Sequence, residues 1–287
     1  MRILAAVAVV MTLAFGGGAS AAPALWVVKD ADSEIYLFGS MHMLQAGADW
    51  RTPAFEDAYD RATTVWFETD VDAPPEEVSK LMATYGLDPD RTLSQKLSPA
   101  ALKALKPMLR RRPVSLAAID HMRPWAAAMM LQVLPMSRRG YAVSSGVDAV
   151  VTHQAQEGAK TVRTFETLED QVRIFASLPE AVEVQYLEDV IGGRDARQLG
   201  GAAIQAAWLA GDIETLGPGL VGAMKTDRPA LYEAMLRRRN QAWAGRIAQE
   251  MAGSGVELVN VGALHMVGPD GLPALLAAKG FKVERVQ

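Results

Sequence analysis

Two short stretches of the chain carry the residue types of a metal centre or a proton-transfer site. Glycine, two residues and histidine recur as Gly39-Ser40-Met41-His42 and Gly262-Ala263-Leu264-His265, each followed by a methionine. There are only four histidines, so half of them occupy this one pattern. Both copies follow apolar runs, EIYLFG and VELVNVG, that read as strands. Each therefore delivers an imidazole just beyond a strand end.

Two more strand-like runs end in acids, Glu68 after TTVWF and Glu166 after TVRTF. In open α/β sheets, ligands gather outside the carboxyl ends of the strands. His42, Glu68, Glu166 and His265 are thus expected at strand exits. Two imidazoles and a carboxylate suit a catalytic divalent ion that keeps positions open for water and substrate. The glycines let the backbone pass close beneath a bound group.

Arg239 is the sharpest clue outside the histidines. In LYEAMLRRRNQAWAGRIAQEM the helical apolar stripe is Tyr232, Met235, Leu236, Trp243, Ile247 and Met251, and position 239 falls inside it. An arginine in that stripe needs a counter-charge or a cleft. Glu68 and Glu166 are the natural partners, and Asn240 lies beside it. Other polar residues have blander readings. His121 sits in a loop before Pro124 and His153 on an amphipathic helix, so both are structural or solvated. Asp70 and Asp72 read as turn residues. Glu169 belongs to a helix start capped by Thr167 and Asp170. Arg237 and Arg238 fall on the solvated side, and the methionines after each histidine are packing residues rather than ligands. There is no cysteine, G-x-S-x-G elbow, HExxH or phosphate loop.

The elements that must position these groups follow from periodicity. Residues 25–28 and 34–39 read as a β-hairpin, the second strand apolar on both faces and so internal. Thr52 caps a helix over 54–62, and 63–67 is a strand. Strand, helix, strand predicts parallel pairing through a right-handed crossover. Helices over 75–85, 99–109 and 124–134, separated by prolines and a basic patch at 110–112, form a helical insertion of about 75–140 within a single domain, 22–287. A helix closing near Gly158, a strand 161–165, helices 168–176, 180–191, 195–210 and 227–251, a strand 256–261, a helix 272–279 and a strand 281–286 complete the chain. The fold class is α/β (α+β), a mixed central β-sheet flanked by helices.

Residues 1–21 have the form of a secretory signal peptide: Arg2, an apolar core over 3–15, then Ala19-Ser20-Ala21. The mature chain is expected to start at Ala22 and to be exported, periplasmic or secreted. That apolar core is shorter than the roughly 20 residues of a membrane-spanning helix, and no later run reaches that length, so no span is expected after cleavage. A formal charge of −4 gives no electrostatic case for nucleic acid.

The motifs FGSMHML, WFETD, SSGVDAVV, TFETLEDQ, WLAGD, RRRNQAW and GALHMVGPDGLPALLAAKGFKVERV, in this order, resemble the TraB/GumN family, which belongs with the Tiki-type proteins. The resemblance implies a metal-dependent hydrolase scaffold; the Tiki relatives are divalent-metal proteases. Carried over by position, it implies His42, His265 and Glu68 as ligands, with Arg239 and Asn240 from the helix motif. Ser40 stands where many relatives have Thr. Arg238 stands where the family often has Glu, which removes a carboxylate. The expectation is an exported metal-dependent hydrolase acting on peptides with Mn, Co or Zn, in which Glu68 is a ligand or general base and Arg239, Asn240 and Glu166 assist. The rival is a protein that binds a metal, haem or peptide in the same cleft without turnover.

Overall fold

The computed structural model describes residues 22–110, 114–193 and 201–287. The leader, positions 111 and 112 of the basic patch and the start of the expected 195–210 helix lie outside these residues. Among them are eight strands: β1 Leu25–Lys29, β2 Ser33–Ser40, β3 Leu44–Gln45, β4 Thr64–Phe67, β5 Tyr141–Ala142, β6 Thr161–Thr164, β7 Gly255–Gly262 and β8 Lys282–Arg285. Six form one mixed sheet in the order β6-β4-β7-β2-β1-β8, and β3 pairs with β5.

The expected hairpin is β1 against β2, antiparallel, with Val27 opposite Tyr36. β2 is internal, as its two apolar faces require. Tyr36 and Phe38 join one core, whereas Ile35 and Leu37 join the core on the opposite face. The crossover from β2 through the helix Pro53–Arg61 to β4 departs from the expectation in one respect. The two strands run parallel but are not neighbours, because β7 pairs with both. Leu258, Val259 and Val261 are buried in one or other core, so β7 takes the position covered on both sides. Parallel pairing runs through β6, β4, β7 and β2. Their carboxyl ends therefore lie along one edge.

Each face has its own core. Phe38, Phe55, Phe67, Val151 and Trp208 fill one, and Trp66, Trp243, Ile247, Leu272 and Leu276 fill the other. Local chemistry sets the helix starts. Thr52 Oγ1 accepts from Phe55 N at 3.1 Å, and Thr167 and Asp170 form the expected capping box ahead of Leu168–Ala176. The helices Pro75–Tyr85, Pro99–Arg110 and Pro124–Arg138 begin at prolines, as anticipated. The third core holds Leu93, Leu105 and Leu131 together with Leu187 and Ile191 of the later helix Glu180–Ile191. Among the described residues no helix is long and apolar enough to cross a membrane.

The helix expected over 227–251 is interrupted. An α-helical turn, Pro229–Tyr232, passes into π-helical turns over Glu233–Arg237 before Arg238–Glu250 resumes α geometry. Such turns cluster at functional positions because they re-aim the residues that follow. Here the next residues are Arg238, Arg239 and Asn240.

Phe55 is fully buried, with ring centroids 4.6 Å from Phe38 and 4.9 Å from Trp50. Phe55→Ala should cost about 3–5 kcal/mol, read as a fall in the urea midpoint at unchanged slope.

Candidate functional site

Glu68 leaves β4 and is 8 % exposed, so its carboxylate must find partners inside the protein. Its two oxygens have separate surroundings. Oε1 accepts from Gly262 N at 2.7 Å and faces His42 Nε2 at 3.8 Å and His265 Nε2 at 3.7 Å. Oε2 accepts from Arg239 Nη2 at 2.6 Å and Gln171 Nε2 at 3.1 Å. The residues expected at four strand exits are thus brought together around one carboxylate. Glu166, beyond β6, touches Arg239 rather than the imidazoles.

Each imidazole has its far nitrogen tied down. Asn240 Nδ2 donates to Asp270 O at 2.7 Å, so its Oδ1 faces His265 and accepts from Nδ1–H. That leaves the His265 Nε2 lone pair without a proton, 3.1 Å from Arg239 Nη1 and 3.7 Å from Glu68 Oε1. His42 Nδ1 donates to Asp148 Oδ2 at 2.8 Å. Asp148 is held in turn by Ser40 Oγ at 2.7 Å and Asn260 Nδ2 at 3.2 Å. Ser40 supplies here the hydroxyl that Thr would supply, which makes that departure from the family pattern mild. Carboxylate or amide partners of this kind fix the tautomer of metal-binding histidines.

Two glycines are required by close approach. A Cβ on Gly262 would stand 2.9 Å from Glu68 Oε1 and 3.3 Å from His42 Nε2, while one on Gly146 would meet His42 O at 2.2 Å. The 143–147 loop also holds the histidine loop directly, with Val147 N donating to Met41 O at 3.0 Å. Behind it, Trp208 Nε1 donates to Gly39 O at 2.7 Å, which gives the WLAGD segment its role.

Arg239 is the counter-charge that its place in the apolar stripe demanded. Nε and Nη2 bind both oxygens of Glu166, Nη2 also reaches Glu68, and Nη1 donates to Met235 O at 3.0 Å and meets His265 Nε2 at 3.1 Å. The guanidinium lies 4.5 Å from the Trp243 ring centroid. All five N–H groups are engaged by the protein, so in this state Arg239 has none to offer a substrate. It positions Glu68, and Asn240 positions His265.

Electrostatics separate the two histidines. Burial pushes the His265 pKa down to about 3, so that ring is neutral. The adjacent Asp148 carboxylate lifts His42 to about 9. Burial would raise Glu68, but the charges of His42 and Arg239 outweigh it and hold the carboxylate ionised, well below its ordinary range. With His265 neutral, the positive charge beside Glu68 comes from Arg239 and His42.

The remaining acids and histidines lie elsewhere. His121 Nδ1 meets Asp88 O, and His153 pairs with Glu157, each exposed. Glu169 binds Tyr85 and Arg173, Asp70 Oδ1 accepts from Asp72 N in a turn, and Arg237 and Arg238 pair with Glu233. Asp148, Asn260, Gln171 and Trp208 escaped the sequence reading as site residues. Asp148 was open to the argument that found Arg239, since Asp148, Val151, Thr152 and Ala155 share one buried helix face at i, i+3, i+4, i+7 spacing. Asn260 is the polar interruption in VELVNVG and is fully buried.

Among the described residues no three His, Cys, Asp or Glu side chains stand in an arrangement that could hold a metal ion as they are. His42, His265 and Glu68 nevertheless have the right chemistry for a divalent ion: two imidazole Nε2 atoms with fixed opposite nitrogens, facing one ionised oxygen. The separations of 3.8 and 3.7 Å are within a few tenths of an ångström of those expected for ligands with bonds near 2.0–2.2 Å to a shared ion.

The fold and these contacts define an α/β protein in which buried Glu68 and His265 and exposed His42 meet at the exits of parallel strands. The profile of the TraB/PrgY/gumN family matches residues 24–285, and the chain belongs to that family. It is 23% identical over 256 residues to "Uncharacterized protein YbaP" of Escherichia coli (strain K12), covering 88% of this chain and 92% of the relative, and equally similar to the protein of that name from Shigella flexneri. No solved structure matches.

Arg239 neutralises the buried carboxylate of Glu68 and the half-buried one of Glu166, so Arg239→Ala should cost about 3–5 kcal/mol. Adding Glu166→Gln to Arg239→Ala should restore part of that loss, because one stranded charge is removed. Urea titration of both variants and of Glu166→Gln alone checks the sign of the coupling.

Proposed function

We propose that the chain is an exported metal-dependent hydrolase acting on peptides, with His42 Nε2, His265 Nε2 and Glu68 Oε1 holding the ion. The observation that carries this reading is the facing of both Nε2 atoms toward one carboxylate oxygen, each ring oriented from behind by Asp148 or Asn240. The ion, Mn, Co or Zn by donor chemistry, would supply a Lewis acid that polarises a carbonyl and activates water.

The protein groups then divide the remaining work. Glu68 acts as a ligand rather than the general base, because both its oxygens are already held, Oε1 by Gly262 N and Oε2 by Arg239 and Gln171. Arg239 keeps Glu68 ionised and fixed. Glu166 fixes Arg239, and Asn240 keeps the proton of His265 on Nδ1. Arg239 Nη1 shares the His265 Nε2 lone pair that an ion would need, whereas its bonds to Glu68 and Glu166 are made through Nε and Nη2. The His42 side chain is 62 % exposed, so substrate reaches the cluster from that side. Export is proposed from the composition of residues 1–21.

A second reading is binding without turnover in the same cleft. It is favoured by the way Arg239 already satisfies the His265 lone pair at 3.1 Å, which makes the ion-free cluster self-sufficient.

Calorimetry with Mn, Co and Zn in turn should show one of them binding tightly. Affinity should be abolished in His42→Ala and His265→Ala and reduced about 10–100-fold in Asp148→Asn. A peptide-library digest with that ion should show cleavage that His265→Ala loses. Binding with no cleavage in either protein would select the second reading, and absence of any His42-dependent ion binding would remove both metal readings.

A further inference from the structure

The sheet is open at β6. Thr161 N and Phe165 N donate to Thr63 O and Phe67 O of the β4 segment. In a parallel ladder that parity turns the main-chain groups of the intervening residues, Val162 and Thr164, away from the sheet. The whole strand is exposed, and no hydrogen bond of the described residues caps that outer edge. A free edge is a template for another extended chain. This one runs straight to Glu166 and so to the Arg239–Glu68 cluster.

Two clefts flank the edge, one on each face of the sheet. On the Trp66 and Trp243 side lies a cleft of about 490 Å³ that includes Arg163 and Arg246. Arg246 and Arg163 pair with Glu250 at 2.8 and 3.3 Å, and Glu257, which accepts from Trp66 Nε1, balances the second charge, so what the cleft offers a ligand is the exposed guanidinium of Arg163 with its long contact. On the Phe67 side a cleft of about 250 Å³ is lined by Thr69, Asp70, Thr152, Val162 and Thr164. There the Oγ1 atoms of Thr69 and Thr152 are buried without a hydrogen-bond partner, and Thr152 is only 3 % exposed. An unsatisfied buried hydroxyl is a group awaiting a polar ligand or water.

From these features we infer that β6 binds the substrate as an added strand: an extended peptide pairs with the outer main chain of Val162 and Thr164. Its alternate side chains enter the two clefts, an acidic one toward Arg163, a hydroxyl-bearing or small polar one toward Thr69 and Thr152. Main-chain pairing supplies affinity, and the two clefts supply selectivity, as in other cases of strand addition. The inference rests on the hydrolase reading for the fate of the peptide, and it explains why an unguarded edge should end at the cluster.

The test uses fluorescence anisotropy on residues 22–287 without added ion. The probe is a labelled decapeptide of alternating Asp and Thr, and two analogues are N-methylated at every Asp amide or at every Thr amide. One parity of methylation should weaken binding at least about tenfold and the other leave it nearly unchanged, a difference of at least about 1.4 kcal/mol. Val162→Pro, which removes an outward N–H and no ladder bond, should weaken the unmethylated probe similarly. The Arg163→Ala variant should weaken the Asp-containing probe and leave an alternating Ser and Thr probe unaffected. Equal affinity of the two methylated analogues, or no binding of the parent probe, would overturn the edge site, and both readings need only the wild-type protein. Adding the ion separates the two claims. Parity-dependent binding without cleavage would sink the hydrolase reading alone, and cleavage without parity dependence would sink the edge alone.

Discussion

Glu68 sits ionised where four parallel strands end, out of reach of bulk water, and such a charge survives only where the surroundings compensate it. Arg239 does so from a helix on one face of the sheet, and Gly262 N does so from the neighbouring strand. Each partner makes a demand of its own. Arg239 is itself buried and needs Glu166, which fixes the exit of β6. Gly262 has to lack a side chain because Glu68 Oε1 and His42 Nε2 occupy the space above it. The mixed topology, with β7 between β2 and β4, is what brings both G-x-x-H loops beside the same carboxylate.

The two histidines are related in sequence pattern but not in environment. His265 is buried, neutral and oriented by an uncharged amide, whereas His42 is exposed at its Nε2 side and oriented by a buried carboxylate. One ring is therefore neutral and fixed inside the protein, while the other is fixed from behind but open to solvent. Arg239 belongs behind Glu68, since its donors are all engaged by the protein.

Much of this arrangement was legible in the residues. Glycine-spaced histidines after apolar runs, acids closing two further strands and an arginine inside an apolar stripe each announced a position, and strand-exit geometry joined them. Three things were not legible. The insertion of β7 between β2 and β4 is a tertiary choice among strands of similar apolarity, and strand, helix, strand periodicity cannot rank them. The π turns at Glu233–Arg237 leave no periodic signature. The burial of Asp148 was readable by helix-face spacing, but its partner His42, 106 residues away, was not. The partners that orient the histidines were therefore harder to see than the histidines themselves.

The account centres on one point in space, bounded by His42 Nε2, His265 Nε2 and Glu68 Oε1. Anomalous diffraction at the cobalt absorption edge, from crystals of residues 22–287 equilibrated with Co(II), locates the ion independently of any activity. The account predicts a single strong peak within bonding distance of those three atoms, with Arg239 still bound to Glu166. A peak elsewhere, or none at this cluster in ion-saturated crystals, would contradict it.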